Sequence, residues 1–300
     1  MPDTPALFTH GLIKSYGAVP ALRGVDLEVR RGEVFGFLGP NGSGKTTTIR
    51  CLLDLIRPDG GTLRVLGFDP QRESLSVRTR TAYLPGELRI DDAFTVDQAL
   101  RFLARLRGRT VDWGAVRDLA DRFHLDLTLP VKDLSKGNKQ KVGVVQALMQ
   151  RVELLLDEPT AGLDPLMQRE VLNAIRAARA NGVTVFFSSH VLSEVEAIAD
   201  RVGIIRQGVV VEVAETQALI NRAVRRVTVR FTRPIEPGAL AQLPGVKVIG
   251  DGDGLSYLLH VEGDMSALIK TLAALPVSEL DTERPTLEEI FLSYYAEAAA

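Results

Sequence analysis

The chain has 300 residues, which at about 150 per domain sizes it for one large domain or two smaller ones. Hydrophobic residues make up 45% and charged residues 25%, the proportions of a globular protein with a full core, and 26 glycines with 15 prolines are too few for a collagenous or low-complexity chain. Lys plus Arg number 36 against 38 Asp plus Glu, a formal charge of −2, so attachment to nucleic acid through its phosphates is not expected.

In chain order, residues 1–10 carry neither a basic n-region nor an apolar h-region, so no secretory signal is expected. Residues 7–12 and 25–30 read as strands, with a turn at 14–17 after the first. Residues 33–38 form an almost continuous apolar run, the mark of a strand covered on both faces. The run leads straight into a Gly-rich loop and then an amphipathic helix over 45–56. Cys51 lies on that helix as a core residue; being the only cysteine, it excludes an internal disulfide framework and fits a reducing compartment. Pro58-Asp59-Gly60-Gly61 is a turn that closes this unit.

A strand ends at Ala82-Tyr83-Leu84-Pro85, and from about 95 to 149 the pattern is helical. Val96, Ala99, Leu100, Leu103 and Leu106 share one helix face, and Val116, Leu119, Ala120 and Phe123 share another. Strand patterns return at 154–156, 183–188 and 202–205 with helices between, which predicts an α/β fold built on a mostly parallel sheet with a helical insertion. Residues 209–213 close it as a hairpin. None of these apolar runs approaches the roughly 18 residues of a membrane span. Beyond residue 222, strands at 227–231, 246–249, 257–261 and 277–280 and helices at 239–243, 266–275 and 287–295 predict a small α+β domain. The expected division is 1–220, with a helical subdomain at about 87–150, and 221–300.

Gly39-Pro40-Asn41-Gly42-Ser43-Gly44-Lys45-Thr46 fits G-x-x-x-x-G-K-[ST] and sits between a buried strand and a helix start, where a phosphate loop belongs. Its glycines let backbone N–H groups turn toward phosphates, and the helix N-terminus adds partial positive charge. Lys45 is expected to bridge the β- and γ-phosphates, Thr46 to place a hydroxyl on Mg²⁺, and Thr47 to contact the nucleotide. The plain alternative is a Gly-rich strand–helix turn. A nucleotide site also needs a metal carboxylate and a group to orient the attacking water. Asp157 and Glu158, at the end of Leu154-Leu155-Leu156, supply both; otherwise they are only an acidic helix start. Between the two motifs, Asp133-Leu134-Ser135-Lys136-Gly137-Asn138 reads as a helix N-terminus capped by Ser135, where Ser135 and the Gly137 amide can meet a phosphate.

The order of these motifs resembles the ATP-binding cassette of ABC transporters over about the first 215 residues. Tyr16 resembles the aromatic residue that stacks on adenine, and residues 39–46 the phosphate loop. Leu134-Ser135-Lys136-Gly137-Asn138 resembles the family signature LSGGQ, and Asp157-Glu158 the metal aspartate and catalytic glutamate. Ala161-Gly162-Leu163-Asp164 resembles the loop that crosses between subunits, and His190 the switch histidine that senses the γ-phosphate. Read singly, Tyr16 is a turn aromatic, His190 an end-of-strand histidine, and Asp164 before Pro165 a helix cap. LSKGN, the GLDP run followed by LMQ, and Leu287-Glu288-Glu289-Ile290-Phe291-Leu292 look most like ATPases of multidrug and antibiotic exporters.

The resemblance implies an ATPase using ATP and Mg²⁺ on the cytoplasmic face of the cell membrane. It also implies a separate transmembrane permease, a dimer with composite ATP sites formed head to tail, and no nucleic acid. Three departures stand out. Gly86 replaces a metal-reaching glutamine, leaving water or Glu87 to complete the shell. Lys136 and Asn138 replace a glycine and a glutamine, Lys136 either adding charge near the γ-phosphate or simply being solvated. Glu153 stands where a fourth apolar residue is usual, so its strand is expected to be one residue short. A soluble cassette acting on DNA or the ribosome is the rival reading. The 90 positions separating Lys45 from Ser135 leave no room for the long coiled coil it would need.

Overall fold

The computed structural model describes residues 4–291 apart from 109, 151, 223–224, 237, 253, 284–285 and 289–290, with 221–222 and 251–252 described by their backbone alone. The chain divides into two compact units, Met1–Ala214 and Glu215–Ala300.

The first unit opens with β1 (Leu7–Tyr16) and β2 (Val19–Val29), joined by a turn at Gly17 and Ala18. β1 does not stop at residue 12. Gly11 takes φ 58 and the pairing register shifts between Thr9 and Leu12, so a bulge restarts the alternation and turns Leu12 inward. The turn expected at 14–17 therefore falls at its far end. β3 (Val34–Leu38) is buried at every position and runs into the Gly-rich loop and α1 (Lys45–Leu52). That helix ends short of residue 56 because Asp54 takes a left-handed φ of 52. Arg78 then caps the released carbonyls, donating to Leu53 at 3.2 Å and to Asp54 at 2.9 Å.

β4 (Gly60–Val65) begins inside the expected turn at 58–61 and pairs antiparallel with β1, giving the three-stranded order β2-β1-β4. Gly61 makes the approach possible, since a Cβ there would stand 2.3 Å from the Gly11 carbonyl. After α2 (Ser74–Arg78) and β5 (Thr81–Leu84) come three helices, α3 (Val96–Leu106), α4 (Trp113–Arg122) and α5 (Lys136–Leu148). Each starts on a side-chain cap, Thr95, Asp112 and Ser135, with Gln98 completing a capping box on α3.

β6 (Glu153–Asp157), α6 (Pro165–Ala180), β7 (Val185–Ser189), α7 (Leu192–Ile198), β8 (Arg201–Arg206) and β9 (Val209–Glu215) complete the unit. The main sheet has the order β5-β6-β7-β3-β8-β9, parallel from β5 through β8. β9 returns from β8 through Gln207 and Gly208, a connection short enough only for an antiparallel hairpin. Phe35, Phe37 and Phe186 pack at the centre, the first and third rings stacked at 5.8 Å, and each fully buried aromatic contributes about 1.5–3 kcal/mol by burial. β6 is not shortened by Glu153. The residue pairs with Thr81, and its carboxylate accepts from the Thr184 N–H at 2.5 Å, so a polar side chain at the strand start is satisfied from the loop before β7.

The second unit contains α8 (Thr216–Arg222), β10 (Arg225–Phe231), α9 (Gly238–Ala241), β11 (Val246–Gly252), β12 (Ser256–Val261), α10 (Ser266–Leu272) and β13 (Val277–Glu283). Its four strands pair antiparallel in the order β11-β12-β10-β13. Val227, Val229, Phe231, Tyr257 and Leu259 point to one face, where Leu240, Leu268 and Leu272 of the helices cover them. Of the helix expected over 287–295, residues 289–290 and 292–295 lie outside the described residues.

Candidate functional site

The Gly-rich loop is shaped by backbone contacts that exclude side chains. A Cβ on Gly39 would stand 2.4 Å from Ser43 Oγ and 2.5 Å from the Ile205 carbonyl. Gly44, at φ 114, would press on the Ala21 carbonyl at 2.9 Å. The Ser43 N–H donates to the Pro40 carbonyl at 3.1 Å, and the Gly208 N–H donates to the Ser43 carbonyl at 2.9 Å, so the β8–β9 turn buttresses the loop. Gly44 caps α1 with no side-chain hydrogen bond and the first turn holds no acidic residue, so no side chain of the helix occupies its positive dipole end. Pro40, Asn41 and Gly42 form its exposed crest; Thr46 and Thr47 are half-buried.

Lys45 folds back into the loop, its ammonium donating to the Gly39 carbonyl at 2.7 Å and to the Pro40 carbonyl at 3.2 Å. Burial pulls its pKa below the usual lysine value, while Glu158 and Asp157 push it back up. Glu158 Oε1 stands 3.8 Å from the ammonium.

Asp157 ends β6 almost fully buried, with a hydroxyl on each oxygen. Thr46 Oγ1 donates to Oδ2 at 2.7 Å and Ser188 Oγ donates to Oδ1 at 2.5 Å. A Cβ on Gly86 would stand 3.5 Å from Oδ2, so glycine leaves one side of the carboxylate open. Glu87 does not fill that side; its carboxylate is largely exposed and lies 3.6 Å from Arg89. One hydroxyl and one carboxylate with an open flank, beside the Gly-rich loop, form a hard-oxygen donor set that fits Mg²⁺.

Glu158 takes a left-handed φ of 50, which an L-residue keeps only when its surroundings hold it. Its N–H donates to the Ser188 carbonyl at 3.1 Å and to Ser188 Oγ at 3.2 Å, and its carbonyl accepts from Gln140 Nε2 at 3.1 Å. Its carboxylate meets His190, with Nδ1 3.0 Å from Oε1. Lys45, Thr46, Asp157, Glu158 and His190, drawn from three separate motifs, thus share one pocket.

Ser135, Gly137 and Asn138 open α5, where Gly137 packs on Gly162, two residues before Asp164. Ser135 accepts from the Asn138 N–H at 3.2 Å, and a Cβ on Gly137 would lie 3.0 Å from the Gly162 carbonyl. Asp164 caps α6, accepting from the N–H groups of Leu166 and Met167 at 3.1 Å each. Lys136 is exposed, its stem beside Gly162. Tyr16, at the end of β1, is half-exposed, with the Lys14 ammonium 5.9 Å from its ring. Ser188 and Gln140 were missed at the sequence level. The signals were a hydroxyl in the last apolar strand before His190 and a glutamine on the core side of the helix opened by Ser135.

The fold and pocket define the class: a phosphate-loop protein with the groups to bind and hydrolyse a nucleoside triphosphate. Residues 22–161 match the ABC transporter family. A daunorubicin resistance ATP-binding protein of Streptomyces coeruleorubidus is 35% identical, over 97% of this chain and 96% of its own. A linearmycin resistance ATP-binding protein of Bacillus subtilis is 29% identical over 96% and 97%. Among solved structures, the ATP-binding subunit of an ABC transporter superposes with a TM-score of 0.66 at 29% identity, covering 72% of this chain and 92% of that one. A dimeric cassette in a post-hydrolysis state with ADP and Pi shares the fold at a TM-score of 0.63 and 20% identity, covering 70% and 98%. The chain belongs to the ABC transporter family, as an ATP-binding subunit. It is an ATPase, and its relatives set it with transporter subunits rather than with cassettes acting on nucleic acid. ATP-binding subunits of this kind work with membrane components, and the 20%-identical cassette is itself dimeric. Among the described residues no helix is long and apolar enough to cross a membrane.

Proposed function

We propose that this chain powers export of drugs, antibiotics or lipid-like compounds through a separate permease, from the cytoplasmic face of the membrane. The observation that carries this reading is the match, along nearly the whole chain including the second unit, to a daunorubicin resistance ATP-binding protein. A bacitracin transport ATP-binding protein of Enterococcus faecalis, 35% identical over 71% of this chain, points the same way. A cavity of about 880 Å³ beside Gly86, lined by Arg89, Ile90, Leu134 and Lys139, supports a permease contact there.

In this reading the loop amides and Lys45 hold the β- and γ-phosphates, Tyr16 stacks on adenine, and Thr46 and Asp157 hold Mg²⁺. The ion, when bound, neutralises charge developing on the phosphates. Glu158 orients and deprotonates the attacking water. His190, with Nδ1 3.0 Å from Glu158 Oε1, holds that carboxylate in line and senses the γ-phosphate. Two chains pair head to tail, so that Ser135, Gly137 and Asn138 of one close on ATP held by the other, with Asp164 at the crossing. ATP closes the dimer and hydrolysis reopens it.

The test is Glu158→Gln, which keeps size but removes the base. We expect ATP binding to persist, turnover to fall at least about 100-fold, closed dimers to accumulate, and resistance to an anthracycline or peptide antibiotic, conferred by co-expression with its permease, to vanish. Wild-type turnover in this variant would remove Glu158 from its role. Unchanged resistance with abolished turnover would remove the export reading.

A further inference from the structure

We propose that Ser188 is a positioning residue for the ATPase reaction, aligning the metal-holding Asp157 and the base-bearing Glu158 together; this rests on the roles given to those two residues above. Ser188 lies in β7 with none of its surface exposed, in a strand otherwise made of Val185, Phe186 and Phe187 up to that point. A hydroxyl buried there is costly unless bonded, and this one is bonded on both sides. It donates to Asp157 Oδ1 at 2.5 Å and accepts from the Glu158 N–H at 3.2 Å.

The proton arrangement has one solution. The Glu158 N–H can only donate, so it takes a lone pair of Ser188 Oγ, and the single hydroxyl proton is left for the carboxylate. The sequence Glu158 N–H to Ser188 O–H to Asp157 is therefore directional, and it joins neighbouring residues whose side chains do different work. Asp157 has one other described donor, Thr46, which is itself a proposed metal ligand. Gly86 offers no side chain on the open flank. Ser188 is the donor with no second duty, so the orientation of the carboxylate depends on it. Glu158 is touched by it too: its N–H is shared between the Ser188 carbonyl at 3.1 Å and Ser188 Oγ at 3.2 Å, while Gln140 holds its carbonyl, so the hydroxyl is one of three holds on this left-handed residue.

The experiment uses the full chain with three variants, Ser188→Ala, Ser188→Thr and Glu158→Gln. Two quantities are titrated against free Mg²⁺: binding of a fluorescent ATP analogue, and steady-state turnover. Outer-shell partners of metal ligands typically govern affinity by 10–100-fold, so Ser188→Ala should need about tenfold more Mg²⁺ in both titrations and show a lowered kcat. Its nucleotide binding without Mg²⁺ should match wild type, and Ser188→Thr, which keeps the hydroxyl, should return the Mg²⁺ requirement toward wild type. A wild-type Mg²⁺ requirement and kcat in Ser188→Ala would overturn the proposal. So would equal loss in the Ala and Thr variants with a lowered Tm and an unchanged Mg²⁺ requirement, which would show packing alone. Full turnover in Glu158→Gln would overturn the underlying site reading, and the proposal with it, whatever Ser188 does.

Discussion

Gly86 faces Asp157 across a gap that a Cβ would narrow to 3.5 Å from Oδ2, while Glu87 beside it turns out to solvent near Arg89. If Thr46 and Asp157 hold the metal as proposed, the open flank leaves room for water, and Glu87 is turned away from it. Gly86→Gln should therefore place an amide oxygen on the open flank and leave turnover equal or raised, with no greater demand for Mg²⁺. Glu87→Ala should leave the Mg²⁺ dependence of ATPase unchanged. A several-fold rise in the Mg²⁺ requirement of Glu87→Ala would return that residue to the metal. The same scale shows why Ser188 and Gln140 escaped the sequence. Serine and glutamine carry no pattern of their own, and only the packed structure sets them beside Asp157 and Glu158.

At the scale of elements, caps and turns decide where the site's pieces stop. Ser135 and Asp164 each accept from the first turn of the helix they open, so two motif residues also begin α5 and α6. The β8–β9 turn is a stronger case. Gln207 at φ 47 and Gly208 at φ 79 form a hairpin turn with both central residues left-handed, and Gly208 bonds to both Ser43 and Arg23. Gln207 is exposed and gains nothing from that conformation, whereas asparagine adopts it readily. Gln207→Asn should stabilise the chain by roughly 0.5 kcal/mol, read as a higher Tm with unchanged ATPase. Gly208→Ala should destabilise it by more than that and slow turnover, because its Cβ would lie 2.6 Å from the Ala21 carbonyl on a turn that props the phosphate loop. A Gln207→Asn protein melting below wild type would contradict the turn assignment.

At the scale of the whole molecule, the site residues fall into two groups within one chain: the pocket of Lys45, Asp157, Glu158 and His190, and the helix start at Ser135 with Gly137. If each group completes its site only against a second copy, hydrolysis must depend on pairing. A Lys45→Ala chain and a Ser135→Arg chain should each be inactive alone. Mixed, they should recover activity from one intact composite site per heterodimer, rising with protein concentration. Equal, concentration-independent turnover from a strict monomer would end the shared-site mechanism.

What the sequence determined by itself was whatever is encoded in contiguous residues: the Gly-rich loop between strand and helix, the acidic pair after an apolar strand, the 3.6-residue periodicity of the helical insertion, and the α/β character of the first unit. Glycine and strand–helix spacing act locally, so they are legible without neighbours. Boundaries were less so. β1 outran its alternation through the Gly11 bulge, α1 stopped early at Asp54, β4 began inside a turn motif, and Glu153 stayed in β6 because Thr184 satisfied it. Apart from the left-handed turn at Asp54, each of these depends on a partner strand or loop elsewhere in the chain. Tertiary structure alone decided that Asp157 is held by hydroxyls 111 and 31 positions away, and that His190 meets Glu158 across 32. Hydrogen bonds form wherever parallel strands bring their ends together, and the order β6-β7-β3 that does so is a property of the packed sheet, not of any one segment.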